Sequence, residues 1–251
     1  VGLSDGQLLQ RFNEKGGQVS ESAFATLVER HGGMVFRVCR SILRDEHDSQ
    51  DAFQATFIVL ARKAGSLRMD DSLGPWLYRV ALRASIRAKH AAQRRKAIEC
   101  MAAEMTARPP AELDSDDLSV LHEEIDKLPE RYRVPIVLCD LQAQTYERAA
   151  QQLGWPIGTI KSRLARGRIK LRARLARRGL GSSAGVLIAG LSTKKGWAGL
   201  PAAWVRDVVR SVVGAAGPAA SAGPCSVVVA SLVEGVISTM RMSKLIMATA
   251  P

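Results

Sequence analysis

Between positions 159 and 170 the chain carries Thr159, Lys161, Ser162, Arg163, Arg166, Arg168 and Lys170, a set of hydrogen-bond donors with no acid or imidazole among them. Such a set makes and breaks no bonds, so the chemistry open to it is recognition of a polyanion. Lysine and arginine bind phosphate oxygens, and the arginine fork also matches the paired acceptors on the edge of guanine. The run continues through Arg172, Arg174, Arg177 and Arg178. A second basic cluster, Arg79, Arg83, Arg87, Lys89, Arg94, Arg95 and Lys96, is likewise free of intervening acids. Positive charge placed for solubility alone is normally mixed with negative charge.

The elements that would position the first cluster are legible. Tyr146, Ala149, Ala150 and Leu153 fall at i, i+3, i+4 and i+7, one face of a short helix. Thr145 is a good N-cap, and Glu147 places negative charge in the first turn, where the helix dipole favours it. Gly154 ends that helix and Trp155-Pro156 makes a sharp turn. A second helix is expected to start near Gly158-Thr159, to bury Ile157, Ile160 and Leu164, and to expose Lys161, Ser162, Arg163 and Arg166. Two short helices, a tight turn and a basic outer face describe a helix-turn-helix, whose second helix enters the DNA major groove. Thr159, Lys161, Ser162 and Arg163 then lie where side chains reach base edges, with Arg163 the candidate for a bidentate guanine contact. Arg166, Arg168 and Lys170 fall to phosphates, which position without specifying. Thr159 is equally explained as helix-start chemistry, and the whole run as a solvated basic helix.

Around this motif the sequence predicts an all-α protein of two small helical domains joined by an acidic linker, followed by a partly helical C-terminal tail. Residues 5–96 read as helices. Ala23, Phe24, Leu27 and Val28 continue into Met34, Val35, Val38 and Ile42 as one stripe interrupted at Gly32-Gly33. The segment 45–60 is acidic at its start and apolar at its end, and Pro75 suits the first turn of a helix led by Trp76, Leu77 and Val80. Residues 97–117, with Arg108-Pro109-Pro110 and then Glu112, Asp114, Asp116 and Asp117, read as the linker. Residues 118–178 form the second domain, with Pro129 ending one helix and 134–141 forming the next. From 179 to 251 the chain is rich in Gly, Ala and Val; 204–213 and 227–247 carry apolar helix faces broken by charges.

Composition narrows the function classes. The 251 residues hold 36 Lys+Arg against 24 Asp+Glu, a net charge of +12, which points to nucleic acid first and an anionic membrane surface second. Cys39, Cys100, Cys139 and Cys225 are scattered, with no C-x-x-C and no histidine at metal-ligand spacing, so no metal and no structural disulfide is expected, only reduced and mostly buried thiols. The N-terminus is polar and has no signal-peptide core, and it lacks an initiator Met, which implies processing or a piece of a longer chain. No phosphate loop and no nucleophile–base arrangement is evident, so the chain reads as a non-enzyme without cofactors.

Three stretches, RDEHDSQDAFQATFIVLARK (44–63), PWLYRVALRASIRAKHAAQRRK (75–96) and LPERYRVPIVLCDLQAQTYERAAQQLGWPIGTIKSRLARGRIKLRARL (128–175), resemble the extracytoplasmic-function (ECF) RNA polymerase sigma factors of the sigma-70 family. The order LPERYR, Y-x-x-x-A, G-T-I-K-S-R-L-x-R-G carries the likeness, which covers about residues 5–178. The resemblance implies a transcription initiation factor acting in the cytoplasm, at the nucleoid, with core RNA polymerase and promoter DNA as partners and an anti-sigma factor as a third. It implies that Asp48, Gln50, Asp51, Gln54 and Phe57 dock on polymerase. The second domain would read the minus-35 duplex. Arg79, Arg83, Arg87 and Lys89 would hold the melted minus-ten strand, with the 65–75 loop taking an extruded base. Trp76 would stack on that base, although a Trp opening a Leu/Val stripe also reads as core. For the tail, the looser likeness to extended members implies contact with a membrane, and its two apolar faces are expected to pack on the sigma domains or on that membrane and to modulate availability for polymerase. Departures from the pattern are Arg148 where an acid is usual, Ala143-Gln144 in place of a Gly-containing pair, and Ala55 on the docking helix where an acid is common.

Two other classes fit parts of the sequence. A conventional helix-turn-helix regulator would act without polymerase, but the acidic helix followed by a basic aromatic one argues against it. A membrane-associated interaction protein would use the charge on lipid, but helix-turn-helix spacing is not needed for that.

Overall fold

The computed structural model describes residues 2–14, 17–67, 72–102, 115–191, 202–214 and 226–248, and every regular element among them is helical. Helix α1 (Asp5–Asn13) starts on a reciprocal cap. The Ser4 hydroxyl accepts from the Gln7 N–H, and the Gln7 side chain accepts from the Ser4 N–H. Helices α2 (Gln18–Ile42), α3 (Glu46–Lys63) and α4 (Gly74–Ala102) pack around Phe24, Phe53, Phe57 and Tyr78, all essentially inaccessible. Phe57 meets Phe53 edge-on with ring centroids 5.1 Å apart, and Phe24 at 6.5 Å.

Helix α2 runs unbroken through Gly32-Gly33, where an interruption was expected. Two mid-helix glycines cost about 1 kcal/mol each relative to alanine, and the continuous apolar stripe from Phe24 to Ile42, buried on both sides of them, outweighs that. Helix α3 is capped by Asp45, which accepts from the Asp48 N–H at 2.9 Å. Helix α4 extends through 97–102 into the expected linker, because that stretch contains no Gly or Pro and is rich in good helix formers. Of the rest of the expected linker, 103–114 lies outside the described residues, and 115–117 already form the start of α5 (Ser115–Asp126).

Pro129 stands before α6 (Glu130–Pro135), and Arg133 of the LPERYR motif folds back to donate to the carbonyls of Asp126, at the end of α5, and Leu128, just past it. The single helix expected over 134–141 is instead a change of winding. Pro135 offers no N–H and crowds the carbonyl four residues back, and Ile136–Leu141 continues as a wider π-helical segment. Helices α7 (Tyr146–Leu153) and α8 (Ile157–Arg177) complete this half.

The halves share one continuous apolar core, with α2 against α5 and α4 against the π segment. Polar bridges also cross the junction. The Tyr78 hydroxyl lies 3.1 Å from the His122 carbonyl and 3.2 Å from His122 Nδ1. Gln142 Nε2 lies 3.1 Å from His31 Nδ1, while His31 Nε2 is 3.0 Å from buried Asp5. Asp5 also accepts from Arg30 at 2.6 Å and from the Leu73 N–H at 3.0 Å. Burial alone would raise its pKa; His31 and these donors outweigh that and hold the carboxyl well below the usual carboxylate range.

Past α8, α9 (Ala184–Leu191) packs on α8. Helix α10 (Ala202–Gly214) lies on α2 and α3, burying Val205, Val208 and Val212; α11 (Val227–Ala248) lies on α3 and α4, burying Leu232, Val233 and Val236. These are the two amphipathic helices expected of the tail; α9 was not expected. Among the described residues no helix is long and apolar enough to cross a membrane. Cys39 and Cys139 are buried free thiols, and burial pushes them up to about 12 and about 11. The Cys100 side chain and Cys225 lie outside the described residues.

Candidate nucleic-acid and protein interfaces

The helix-turn-helix forms for the local reasons its residues carry. Thr145 caps α7 by accepting from the Arg148 N–H at 3.2 Å, and Gly154 ends it in the left-handed region at φ 62°. Ala149 and Ala150 bury one face of α7 against Ile160 and Leu164 of α8, all within the core. Ile157, expected to be buried, is 40% exposed. Helix α8 starts there rather than at Gly158, so Ile157 is its first residue. Gly167 lets α8 approach α6: a Cβ there would sit 3.1 Å from Ile136 Cδ1 and 3.4 Å from the Tyr132 backbone.

The basic side chains of α8 then divide. Lys161, Ser162, Arg166 and Lys170 are exposed, and Thr159 is half-buried at the helix start. The Ser162 hydroxyl donates back to the Thr159 carbonyl at 3.1 Å. Arg163 lies over the Trp155 ring at 4.1 Å, so the turn residue before the helix holds the guanidinium by a cation–π contact. Lys161 and Lys170 approach the Tyr146 and Tyr132 rings at 5.7 Å. Arg168 departs from its expected role. Its Nη2 and Nε reach both oxygens of buried Asp140 at 2.5 and 3.1 Å. That bond raises the arginine's pKa further, the carboxylate favouring the charged form. Arg168 is thus a clamp between α8 and the π segment, not a free phosphate ligand. Arg174 and Arg178 are drawn to Glu123 and Glu124 of α5 in the same way.

In the other half, Arg79, Arg83 and Arg87 follow one another at four-residue spacing on α4. Arg79 Nε lies 3.0 Å from an Asp126 carboxylate oxygen, close enough for an ion pair though its angle misses hydrogen-bond geometry. Arg83 is half-buried, and burial followed by the charge of Arg79 lowers its pKa. Arg87 is exposed, and Lys89 Nζ is 3.2 Å from Ser119 Oγ. Trp76 is partly buried against the core. Residues 68–71 of the loop expected to hold a base lie outside the described residues.

On α3, Asp48 pairs with Arg95 at 3.1 Å. Asp51 is half-buried, and desolvation followed by the charge of Asp48 raises its pKa. Gln50 is half-buried and Gln54 donates to Ser211 of α10 at 2.7 Å. Phe57 is fully enclosed, so it offers no surface to a partner and supports α3 from within. Asp140, Arg133 and Glu124 are the residues that sequence spacing missed. Each acts on a group far along the chain or on a backbone carbonyl, and no local pattern marks that.

Comparison with known proteins finds the same two halves. Residues 27–95 match the family described as Sigma-70 region 2, and residues 118–171 match Sigma-70, region 4. The ECF RNA polymerase sigma factor SigE of Mycolicibacterium smegmatis is 31% identical over 176 residues, 66% of this chain and 66% of that protein. SigM of Mycobacterium tuberculosis is 30% identical over 62% of this chain and 76% of its own length. The ECF sigma-E factor of Salmonella typhimurium is 31% identical over 66% of this chain and 91% of its own.

Proposed function

The chain belongs to the ECF RNA polymerase sigma factors of the sigma-70 family, and from that membership we propose how its surfaces divide the work of initiation. It is a non-enzymatic transcription initiation factor that directs core RNA polymerase to promoters. In this reading 5–96 is the polymerase-docking and minus-ten domain and 118–178 the minus-35 domain. Thr159, Lys161, Ser162 and Arg163 face minus-35 bases, with Arg166, Lys170 and Arg172 on phosphates. Arg79, Arg83, Arg87 and Lys89 follow the melted minus-ten strand, and the face of α3 bearing Asp51 and Gln54 meets polymerase. The observation that carries the reading is the start of α8, where exposed donors surround an arginine already held against Trp155. A side chain restrained beforehand loses less freedom on binding a base edge.

The anti-sigma partner rests on family membership alone. Promoter and polymerase place the chain at the nucleoid. The membrane contact implied for the tail has no support, since α10 and α11 turn their apolar faces onto α2, α3 and α4. Two matched regions in order leave no role for a regulator that works without polymerase. Run-off transcription with purified core polymerase and a broad promoter pool tests the reading. Initiation at defined start sites is expected; polymerase carrying the bound chain but starting at no defined site would overturn it.

A further inference from the structure

The chain's own tail occupies the face of α3 that this reading gives to polymerase. Gln54 is bonded to Ser211 of α10, and Arg62, two turns further along the same helix, pairs with Glu234 of α11. Between them at helical spacing, Ala55 and Ile58 are buried. Ala55 is small and uncharged; a carboxylate at that fully buried position would be taken out of water at a cost. Trp204 anchors α10, with its ring 4.7 Å from Phe36 and 6.2 Å from Phe53. The tail also reaches the basic helix. The Arg87 guanidinium lies against Gly235 of α11, where even one added side-chain carbon would collide with it. One segment therefore covers part of the docking face and lies against one of the arginines assigned to the strand.

We infer that α10 and α11 form a cover acting in cis, which competes with core polymerase for α3. The inference rests on the docking role of α3 proposed above. Because the cover is tethered, it meets α3 at a high effective concentration. Polymerase then sees only the fraction of molecules whose tail is away, and its apparent affinity falls by that fraction. The cover is held by half-buried Trp204 and the buried valines of α10 and by Val229, Leu232, Val233 and Val236 of α11, while its ion pair to Arg62 is largely solvated and adds little.

Hydrogen exchange on the full chain, alone and with saturating core polymerase, tests this without any substitution. Amides of 202–214 and 227–240 are expected to lose protection at least tenfold in the complex, and protection retained there overturns the inference. A Trp204→Glu chain is expected to bind core polymerase about tenfold or more tightly than the wild type. Glu234→Arg, which faces Arg62 with a like charge and leaves the core untouched, is expected to shift affinity the same way by a smaller factor. If exchange shows the tail open in Trp204→Glu and polymerase binds no more tightly, the cover is refuted. If the wild type fails to bind but Trp204→Glu binds, the cover is supported. If neither binds, the docking role of α3 is itself wrong and the inference falls with it.

Discussion

Arginine has three occupations within helix α8. Arg163 lies on Trp155, Arg168 is clamped to buried Asp140, and Arg172 stands exposed. Their mutants should therefore differ in kind. Arg163→Ala should weaken promoter binding by about 1–3 kcal/mol and relax preference at one minus-35 position. Arg172→Ala should weaken binding to all sequences alike and lower the salt slope by about one unit. Titrations of a minus-35 base-substitution series at several salt concentrations separate the two; loss of slope alone in both would remove Arg163 from base reading. Arg168→Ala strips buried Asp140 of its bidentate arginine partner. It should lower unfolding stability by about 2–3 kcal/mol, discounted for the part-exposed arginine, with the salt slope unchanged. Urea melts beside the same titrations check it, and a slope lower by one unit would return Arg168 to the phosphates. The basic run was legible in the sequence because it is contiguous. Its partition was not: the run has no acid along the chain, yet Asp140, Glu123 and Glu124 neutralise three of its members in space.

At the scale of elements, the parts that were legible are those governed by neighbours in sequence. Thr145 caps α7, Gly154 ends it, and the valines of 205, 208 and 212 fall on one face of α10, because each depends on spacing within a few residues. The π segment after Pro135 and the uninterrupted α2 depend on what packs across them, and periodicity carries no record of that. One departure in sequence does have an element-scale consequence. Ala143, where a Gly-containing pair is usual, sits at φ 52° in the turn that leads into α7, the one non-glycine with positive φ among the described residues. An L-residue there is strained by about 1–2 kcal/mol, part of which is recovered in the restricted unfolded chain. Ala143→Gly should raise stability by about 1 kcal/mol, read as a higher urea midpoint with the denaturant slope unchanged. A lower midpoint would show that packing of the Ala143 methyl outweighs the strain.

At the scale of the whole molecule, the two halves were legible as separate units and their junction was not, because its bridges join residues 44 and 111 positions apart. That junction contains a titration. Burial pushes His122 from its ordinary 6.5 to about 4, so the imidazole is neutral where Tyr78 meets it, and burial also holds Tyr78 protonated throughout this range. The folded protein thus takes up the His122 proton only near pH 4, whereas the unfolded chain takes it up near 6.5. Above 6.5 neither form is charged and the full stability is present. As pH falls from 6.5 to 4 the unfolded state binds the extra proton and stability declines, by about 3 kcal/mol over the window. Asp5 acts in the same direction but only at lower pH, from the ordinary carboxylate range downward. The decline between 6.5 and 4 should therefore belong to His122 and should loosen α5 from α4 first, since the Tyr78 bridge is what the proton disrupts. Urea unfolding from pH 7 to 4 should show a clear loss in the wild type. His122→Gln has no proton to gain, so it should begin less stable at pH 7 and lose markedly less, and the two curves should converge towards pH 4. Parallel curves would show that the imidazole stays solvated enough to titrate normally and that the junction does not respond to acid.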